Sequence, residues 1–141
     1  MASREEICTS VAILCAAWRG EADFATLESY AIAVADMPAG VLRQAVVEAV
    51  REGGQWMPSP GELRSICRAI RGRAVQIAVQ AWNDWEFFGR CDRRAKDALR
   101  AITAEPGTEE YYRAGRAQFI ESLSQQVIGD SCRDQGRIGN G

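Results

Sequence analysis

The sequence of 141 residues contains no histidine, and this absence removes several kinds of chemistry. Without an imidazole there is no Ser-His or Cys-His nucleophile, no histidine general base and no HExxH zinc motif. No glycine-rich phosphate loop is present either, because Gly53-Gly54 is not followed by Lys and Ser or Thr. Carboxylate pairs fall in the first turns of predicted helices, where acids favour the helix dipole. We therefore expect a protein that is not an enzyme and needs no cofactor.

The five cysteines are odd in number and scattered, and no two of them form a CxxC pair. A zinc site would need four thiolates from unrelated helices, since no histidine can contribute. Reduced thiols buried as small apolar side chains are the simpler interpretation. We predict no metal site.

Long apolar runs are also missing. None approaches the roughly 18 residues that a membrane span needs, and the N-terminal "MASREEICTS" lacks the apolar core of a secretory signal. With 47% hydrophobic and 26% charged residues, the chain has the composition of a globular protein that buries a core. We expect one domain or two small helical modules, located in the cytoplasm.

Apolar residues recur at helical spacing, and no segment shows the alternation of a strand. The predicted fold is all-α, a compact bundle of about six to seven short helices. The first helix spans 4–18, the second follows Asp23, and the third runs from Pro38 to about Glu52. A fourth begins at Pro60.

The second half of the chain repeats this pattern. Gly72 predicts a kink or hinge after the fourth helix, because glycine in a helix interior costs about 1 kcal/mol. A fifth helix over 74–88, a sixth capped by Asp92 and a seventh capped by Thr108 follow. The predicted organisation is an N-terminal bundle over 1–71, a helical segment over 74–128 packed on it or hinged to it, and a flexible, disordered tail over 129–141.

The stretch "GGQWMPSPGELR" between the third and fourth helices reads as a helix end, a rigid turn and a helix start. Gly53-Gly54 closes one helix. Ser59 is placed to cap the next, with Pro60 in its first position and Glu62 three residues after the cap. This arrangement is a capping box.

The net charge of −2 is unevenly distributed. Residues 1–63 have four Arg and nine acids, a net charge of −5, and residues 101–141 have a net charge of −2. Residues 64–100 have a net charge of +5. A basic middle of this kind indicates a surface that faces a polyanion or an acidic partner, unless the arginines only solvate helix faces.

The segment "LESYAIAVADMPAGVLRQAVVEAVREGGQWMPSPGELRSIC" resembles the N-terminal helical module of phage helicase loaders and replisome organisers. The resemblance covers residues 24–70, about a third of the chain. The residues at matching places are Leu27, Tyr30, Asp36, Pro38, Ala45, Trp56, Pro58, Ser59, Glu62, Leu63 and Arg64.

The second half, "AVQAWNDWEFFGRCDRRAKDALRAI" and "EEYYRAGRAQFIESL", is similar to a segment of uncharacterised phage replication-region proteins. Arg116 and Phe119 match its last helix. The Gly-Gly-Trp usual after the sixth helix is replaced here by "TAEPGT". No ATPase module is present, which argues against a loader of the ATP-driven kind.

These resemblances imply a non-catalytic phage adaptor in the host cytoplasm, which binds a hexameric replicative helicase and loads or inhibits it. Trp56 and Met57, held by the flanking prolines, are the first candidates for contact, because Trp and Arg carry much interface energy. The alternative is that Trp56 closes the bundle as a hydrophobic staple over the fourth helix.

Two basic sets complete the candidate surface. Arg64, Arg68 and Arg71 form one stripe of the fourth helix, with Arg73 beside it, and would meet phosphates or an acidic helicase surface. A second possible patch for nucleic acid or an acidic partner consists of Arg90, Arg93, Arg94, Lys96 and Arg100.

Two other functions fit the same features. One is a small phage-encoded inhibitor of a host defence nucleoprotein complex, like an anti-CRISPR protein. The other is a DNA-binding regulator, which the acidic overall charge and the lack of base-reading side chains at a helix start disfavour. Weak, non-specific nucleic-acid binding is compatible with all three.

Overall fold

The computed structural model describes the backbone of residues 1–139 and the side chains of residues 1–131. Over these residues the chain is all-α, as predicted, and contains six α-helices and one π-helical turn, Tyr111–Gly115, that leads into the last helix. The helices are α1 (Arg4–Ala17), α2 (Phe24–Val34), α3 (Ala39–Glu52), α4 (Pro60–Phe88), α5 (Arg93–Arg100) and α6 (Arg116–Gly139).

The predicted caps are confirmed where the chain restarts a helix. Asp23 accepts a hydrogen bond from the Thr26 amide at 2.8 Å, and Asp92 accepts one from the Ala95 amide at 2.8 Å. Thr108 Oγ1 likewise accepts from the Tyr111 amide at 3.2 Å. Each side-chain oxygen satisfies a backbone donor that the first turn of a helix leaves without a partner.

The predicted separation into two helices at Gly72 is wrong, because α4 continues through this residue from Pro60 to Phe88. The two helices expected over 60–71 and 74–88 are therefore one helix of 29 residues. The reason is visible in the buried positions of α4. Its buried side chains recur every three or four residues on both sides of Gly72, at Leu63, Cys67, Ile70, Ala74, Ala78 and Trp82. Burial of this uninterrupted row outweighs the roughly 1 kcal/mol penalty of one glycine. The predicted kink or hinge at Gly72 stays a prediction.

The flexible tail was predicted over 129–141, but α6 extends to Gly139. Residues 140–141, and the side chains from 132 onward, lie outside the described residues. For these the tail stays a prediction.

The chain divides into two compact units. Unit 1 is assigned Met1–Ile70 and Gln135–Gly141, and unit 2 is assigned Arg71–Asp134, so that α4 and α6 contribute to both. In unit 1, α1 packs against both α2 and α3. The core is mainly aliphatic, and its largest fully buried side chains are Val11, Leu14, Val34, Met37, Val41, Leu42 and Leu63. Phe24, the first residue of α2, lies 74% exposed.

The core of unit 2 is aromatic. Trp82 is fully buried at its centre, 4.9 Å from Trp85 and 5.3 Å from Phe119, measured between ring centroids. Tyr111, from the π-helical turn, lies 6.4 Å from Trp82. The buried members of this cluster are Ala78, Trp82, Ala95, Ala98, Tyr111, Phe119 and Leu123.

Candidate functional site

The turn between α3 and α4 begins with two glycines in conformations that other residues avoid. Gly53 has a φ of 70° and Gly54 a φ of 117°, and both lie in the left-handed region where a Cβ is strained. Gly53 ends α3, and its amide donates to the carbonyl of Ala49 at 3.1 Å. The glycine pair therefore reverses the chain at once and leads it into the prolines.

Two side chains hold the ends of this turn: Trp18, which follows α1, and Tyr30 of α2. Nε1 of Trp18 donates a hydrogen bond to the carbonyl of Gly54 at 3.1 Å. The hydroxyl of Tyr30, a residue only 3% exposed, donates to the carbonyl of Pro58. Burial is the main cause that raises the pKa of Tyr30, so this hydroxyl keeps its proton. The turn is thus anchored to the core of unit 1 at two carbonyls four residues apart.

The predicted capping box at the start of α4 is confirmed. The Glu62 amide donates to Ser59 Oγ at 3.2 Å, and the Ser59 amide donates to Glu62 Oε1 at 3.4 Å. This reciprocal pair satisfies two backbone donors and sets the angle at which the chain enters α4.

Arg64 lies one turn further along α4 and is used within the fold. Its Nη1 and Nη2 donate to the two carboxylate oxygens of Asp36, at 2.6 Å and 3.0 Å, and Nη1 also donates to the carbonyl of Ala33 at 2.8 Å. The hydrogen bond to Asp36 is the main cause that raises the pKa of Arg64. A guanidinium held in this fork fixes the end of α2 to α4. The structure therefore gives Arg64 a role in the fold where partner contact was expected.

Trp56 stands out from this braced turn. Its side chain is 80% exposed, so the alternative in which it packs over α4 as a staple is wrong. Met57, its predicted companion, is half-buried. The structure thus presents an indole to solvent on a segment whose two ends are fixed by hydrogen bonds. We call this feature, centred on Trp56 with Met57 beside it, the tryptophan turn.

The other arginines predicted on α4 are at its surface. Arg68 and Arg71 continue the row that begins at Arg64, and both are exposed. Arg73 is also exposed. Arg64, Arg68 and Arg71 therefore form the predicted row on α4. Arg64 is bound to Asp36, and Arg68 and Arg71 are the two members of the row that are exposed.

The second predicted patch surrounds the α4–α5 corner and is divided in its roles. Arg94 lies 3.6 Å from Asp130, and Arg100 lies 3.6 Å from Asp97. The guanidinium of Arg90 lies over the Phe88 ring, 5.5 Å from its centroid. The two remaining cations, Arg93 and Lys96, are exposed, and they form no ion pair with any side chain that the structure describes.

Phe87 and Phe88 were not predicted as functional residues, although both are exposed, at 70% and 69%. The signal was available in the sequence. Phe87 and Phe88 lie five and six residues after Trp82, so at about 100° per residue both point more than 100° away from its direction on the helix.

Three of the described thiols, those of Cys15, Cys67 and Cys91, are not activated. Burial raises the pKa of Cys67 to about 11 and also raises the pKa of Cys15 and of Cys91. These groups are therefore protonated near neutral pH and are poor nucleophiles and poor metal ligands. Within the described residues no three Cys, Asp or Glu side chains gather as a metal site requires. Cys132 lies outside the described side chains.

No helix among the described residues is both long enough and apolar enough to cross a membrane. In comparisons of the chain with known proteins, no family model, no curated protein and no solved structure matches it.

Proposed function

We propose that this protein is a non-catalytic adaptor that binds a hexameric replicative helicase, with the tryptophan turn as its main contact. The observation that carries the proposal is an 80% exposed indole on a turn with both ends fixed. Water around so large an apolar surface is released when a partner covers it. Trp is also the residue type most enriched among the residues that dominate interface energy.

Rigidity of the turn supports a role in binding. A surface that is already ordered before association loses little conformational entropy when the partner arrives. The residues that support the resemblance to helicase loaders take part in this ordering. Tyr30 holds Pro58, Ser59 and Glu62 cap α4, and Arg64 holds Asp36.

A binding role for the turn explains why the residues that brace it occur in the same pattern as an exposed tryptophan. Most of the shared pattern builds the support, and Trp56 is the member of the pattern that the support presents. The named partner, a replicative helicase, comes from the resemblance, while the contact surface comes from the geometry.

The test uses a panel of purified bacterial hexameric replicative helicases immobilised for surface plasmon resonance. We expect the wild-type chain to bind at least one of them, and Trp56→Ala to weaken that binding by about 30-fold or more, the size typical of a dominant interface residue. Phe24→Ala is the matched control, because Phe24 is also an exposed aromatic residue of unit 1. We expect it to change affinity less than twofold.

Two results would overturn the proposal in different ways. Absence of saturable binding to every helicase of the panel would reject the partner. Binding that Trp56→Ala leaves unchanged would reject the tryptophan turn as the contact.

A DNA-binding regulator is not favoured by the structure. That hypothesis used the row on α4 that begins at Arg64, but the Arg64 guanidinium is occupied by Asp36 and the carbonyl of Ala33. The arginine row therefore loses Arg64, the member nearest the start of α4, for contact with a DNA groove.

A further inference from the structure

The corner between α4 and α5 exposes two adjacent aromatic rings. Phe87 and Phe88 are the last two residues of α4 and are 70% and 69% exposed. Gly89, with a φ of 65°, then ends the helix. Single apolar side chains at a surface are ordinary, but two neighbouring phenylalanines form a contiguous apolar patch that is usually covered by a ligand or partner.

Cations follow these rings in the sequence. Arg90 lies over the face of Phe88, where the ring quadrupole attracts the guanidinium. Arg93, Lys96 and Arg100 lie three, then four residues apart on α5, so that they share one side of that helix over about 10 Å.

The cations of this corner outnumber its acids by one, since residues 84–100 contain five cations and four acids. Asp97 faces Arg100, whereas Asp84, Glu86 and Asp92 accept hydrogen bonds from Gln80, Trp82 and the Ala95 amide and keep their negative charge. Arg93 and Lys96 are exposed and form no ion pair among the described side chains. The corner therefore combines two exposed aromatic rings with two exposed cations that no described carboxylate pairs, within a protein whose net charge is −2.

We propose that this corner binds single-stranded nucleic acid, with bases stacking on Phe87 and Phe88 and phosphates contacting Arg90, Arg93 and Lys96. Exposed aromatic faces next to cations are the combination that binds single strands, because every base has a π face and every nucleotide has a phosphate. A duplex does not fit this chemistry, since its bases are stacked on each other and closed to the two rings.

The charge pattern favours nucleic acid over an acidic protein as the occupant. A protein surface could supply carboxylates, but it would not need two ring faces presented next to each other. A flexible single strand supplies planar and anionic groups in alternation, matching rings and cations that follow one another within ten residues of the chain. This site is independent of the tryptophan turn, which contains no cation of this set.

The test measures fluorescence anisotropy of a 5′-labelled 12-nucleotide oligothymidine, and of the same strand in a duplex, from 50 to 300 mM salt. We expect the single strand to bind more tightly than the duplex. Three phosphate contacts predict that the logarithm of the association constant falls with a slope of about −2 against the logarithm of salt concentration, at about −0.7 per contact.

Variants separate the two parts of the site. The double variant Phe87→Ala/Phe88→Ala is expected to weaken single-strand binding about tenfold while leaving the salt slope near −2. Arg93→Gln/Lys96→Gln is expected to reduce the slope by about 1.4. Phe24→Ala and Arg43→Gln, exposed residues of unit 1, are the matched controls and are expected to have no effect.

The proposal is overturned if no binding occurs at 50 mM salt, if duplex and single strand bind equally, or if the phenylalanine variant binds like wild type. It is also overturned if that variant instead loses affinity for the helicase panel, which would make the corner a protein-binding surface. Trp56→Ala is expected to leave oligothymidine binding unchanged, so failure of the helicase proposal and failure of this one give different results.

Discussion

The two exposed aromatic groups are supported in different ways. Trp56 lies on a turn held by Trp18 and Tyr30, side chains that are distant from it in sequence. Phe87 and Phe88 end a helix whose next residues are held by contacts with near neighbours in the sequence. The Arg90 amide donates to the carbonyl of Asp84 at 3.1 Å, the Arg90 guanidinium lies over Phe88, and Asp92 caps α5. A surface with one fixed geometry suits a folded partner, whereas a helix end with local support suits a flexible strand that adapts to it.

The cores of the two units also differ, in the kind and number of side chains that they bury. Unit 1 distributes its burial over many aliphatic side chains of moderate size, whereas unit 2 concentrates it in one aromatic cluster around Trp82. Loss of a single side chain should therefore have its greatest effect in unit 2. Substitutions in each unit test how far this comparison extends.

The largest effect is expected from Trp82→Ala. Trp82 is fully buried, contacts Trp85 and Phe119, and donates to Glu86, so its truncation leaves a large cavity. We expect the free energy of unfolding to fall by about 3–5 kcal/mol, measured by chemical denaturation. The matched variant in the aliphatic core is Leu14→Ala, a fully buried residue for which about 2–5 kcal/mol is expected.

Amide hydrogen exchange of the same two variants locates the damage. Trp82→Ala should accelerate exchange most within 71–131, and Leu14→Ala most within 1–59. Equal acceleration of both regions by either variant would mean that the molecule unfolds as one cooperative unit, and the comparison of two cores would lose its meaning for stability.

Smaller effects on the free energy of unfolding, opposite in sign, are expected when Gly115 and Gly72 of unit 2 are each replaced by alanine. A Cβ on Gly115 would lie 2.9 Å from Ile102 Cγ2, on a stiff, β-branched side chain, whereas a Cβ on Gly72 would meet no atom within 4 Å. We expect Gly115→Ala to lower the free energy of unfolding by about 1–2 kcal/mol and Gly72→Ala to raise it by about 0.5–1 kcal/mol.

Denaturant titrations of both variants give these values directly. A stabilised Gly115→Ala protein would show that Ile102 yields freely at the π-helical turn. A destabilised Gly72→Ala protein would show that α4 needs a flexible residue there, as the hinge hypothesis held.

Local signals explain most of what was predictable from the sequence. Ser59, Asp92 and Thr108 were assigned correctly as caps because capping depends on residues only three apart. The separation into two helices at Gly72 was predicted wrongly, because the free-energy penalty of one glycine was considered without the burial of the side chains on either side of it. The buried row from Leu63 to Trp82, which passes through it, was readable in the same residues.

The candidate site was harder to predict because its contacts join distant residues. Arg64 and Asp36 are 28 positions apart, as are Tyr30 and Pro58, and neither spacing is a helical period. The arginine stripe was therefore predicted to be free for a partner, although its first member, Arg64, binds Asp36 within the fold. Conversely, Trp56 was a candidate for both an exposed and a buried role, since only the three-dimensional course of the turn decides between them.

The smallest effect is expected from Tyr30→Phe, which removes one support of the tryptophan turn and leaves the ring in the core. Loss of the hydrogen bond to the Pro58 carbonyl should lower the free energy of unfolding by about 1 kcal/mol and speed hydrogen exchange at residues 53–57. Tyr112→Phe is the matched control, because Tyr112 is 47% exposed, and it should change stability by less than 0.5 kcal/mol, a limit of about the size expected for surface substitutions.

The pH dependence of the same variant identifies the hydroxyl as the cause. Burial raises the pKa of Tyr30 above its ordinary value of 10.0, so the folded protein holds this proton more tightly than the unfolded chain does. Its contribution is fully present below pH 10 and is lost as pH rises through the folded pKa. The stability difference between wild type and Tyr30→Phe should therefore be constant from pH 7 to 9 and shrink above pH 10. A difference that persists unchanged at high pH would mean that ring packing, and not the bond to Pro58, distinguishes the two proteins, and that the turn is held mainly by Trp18 and the capping box.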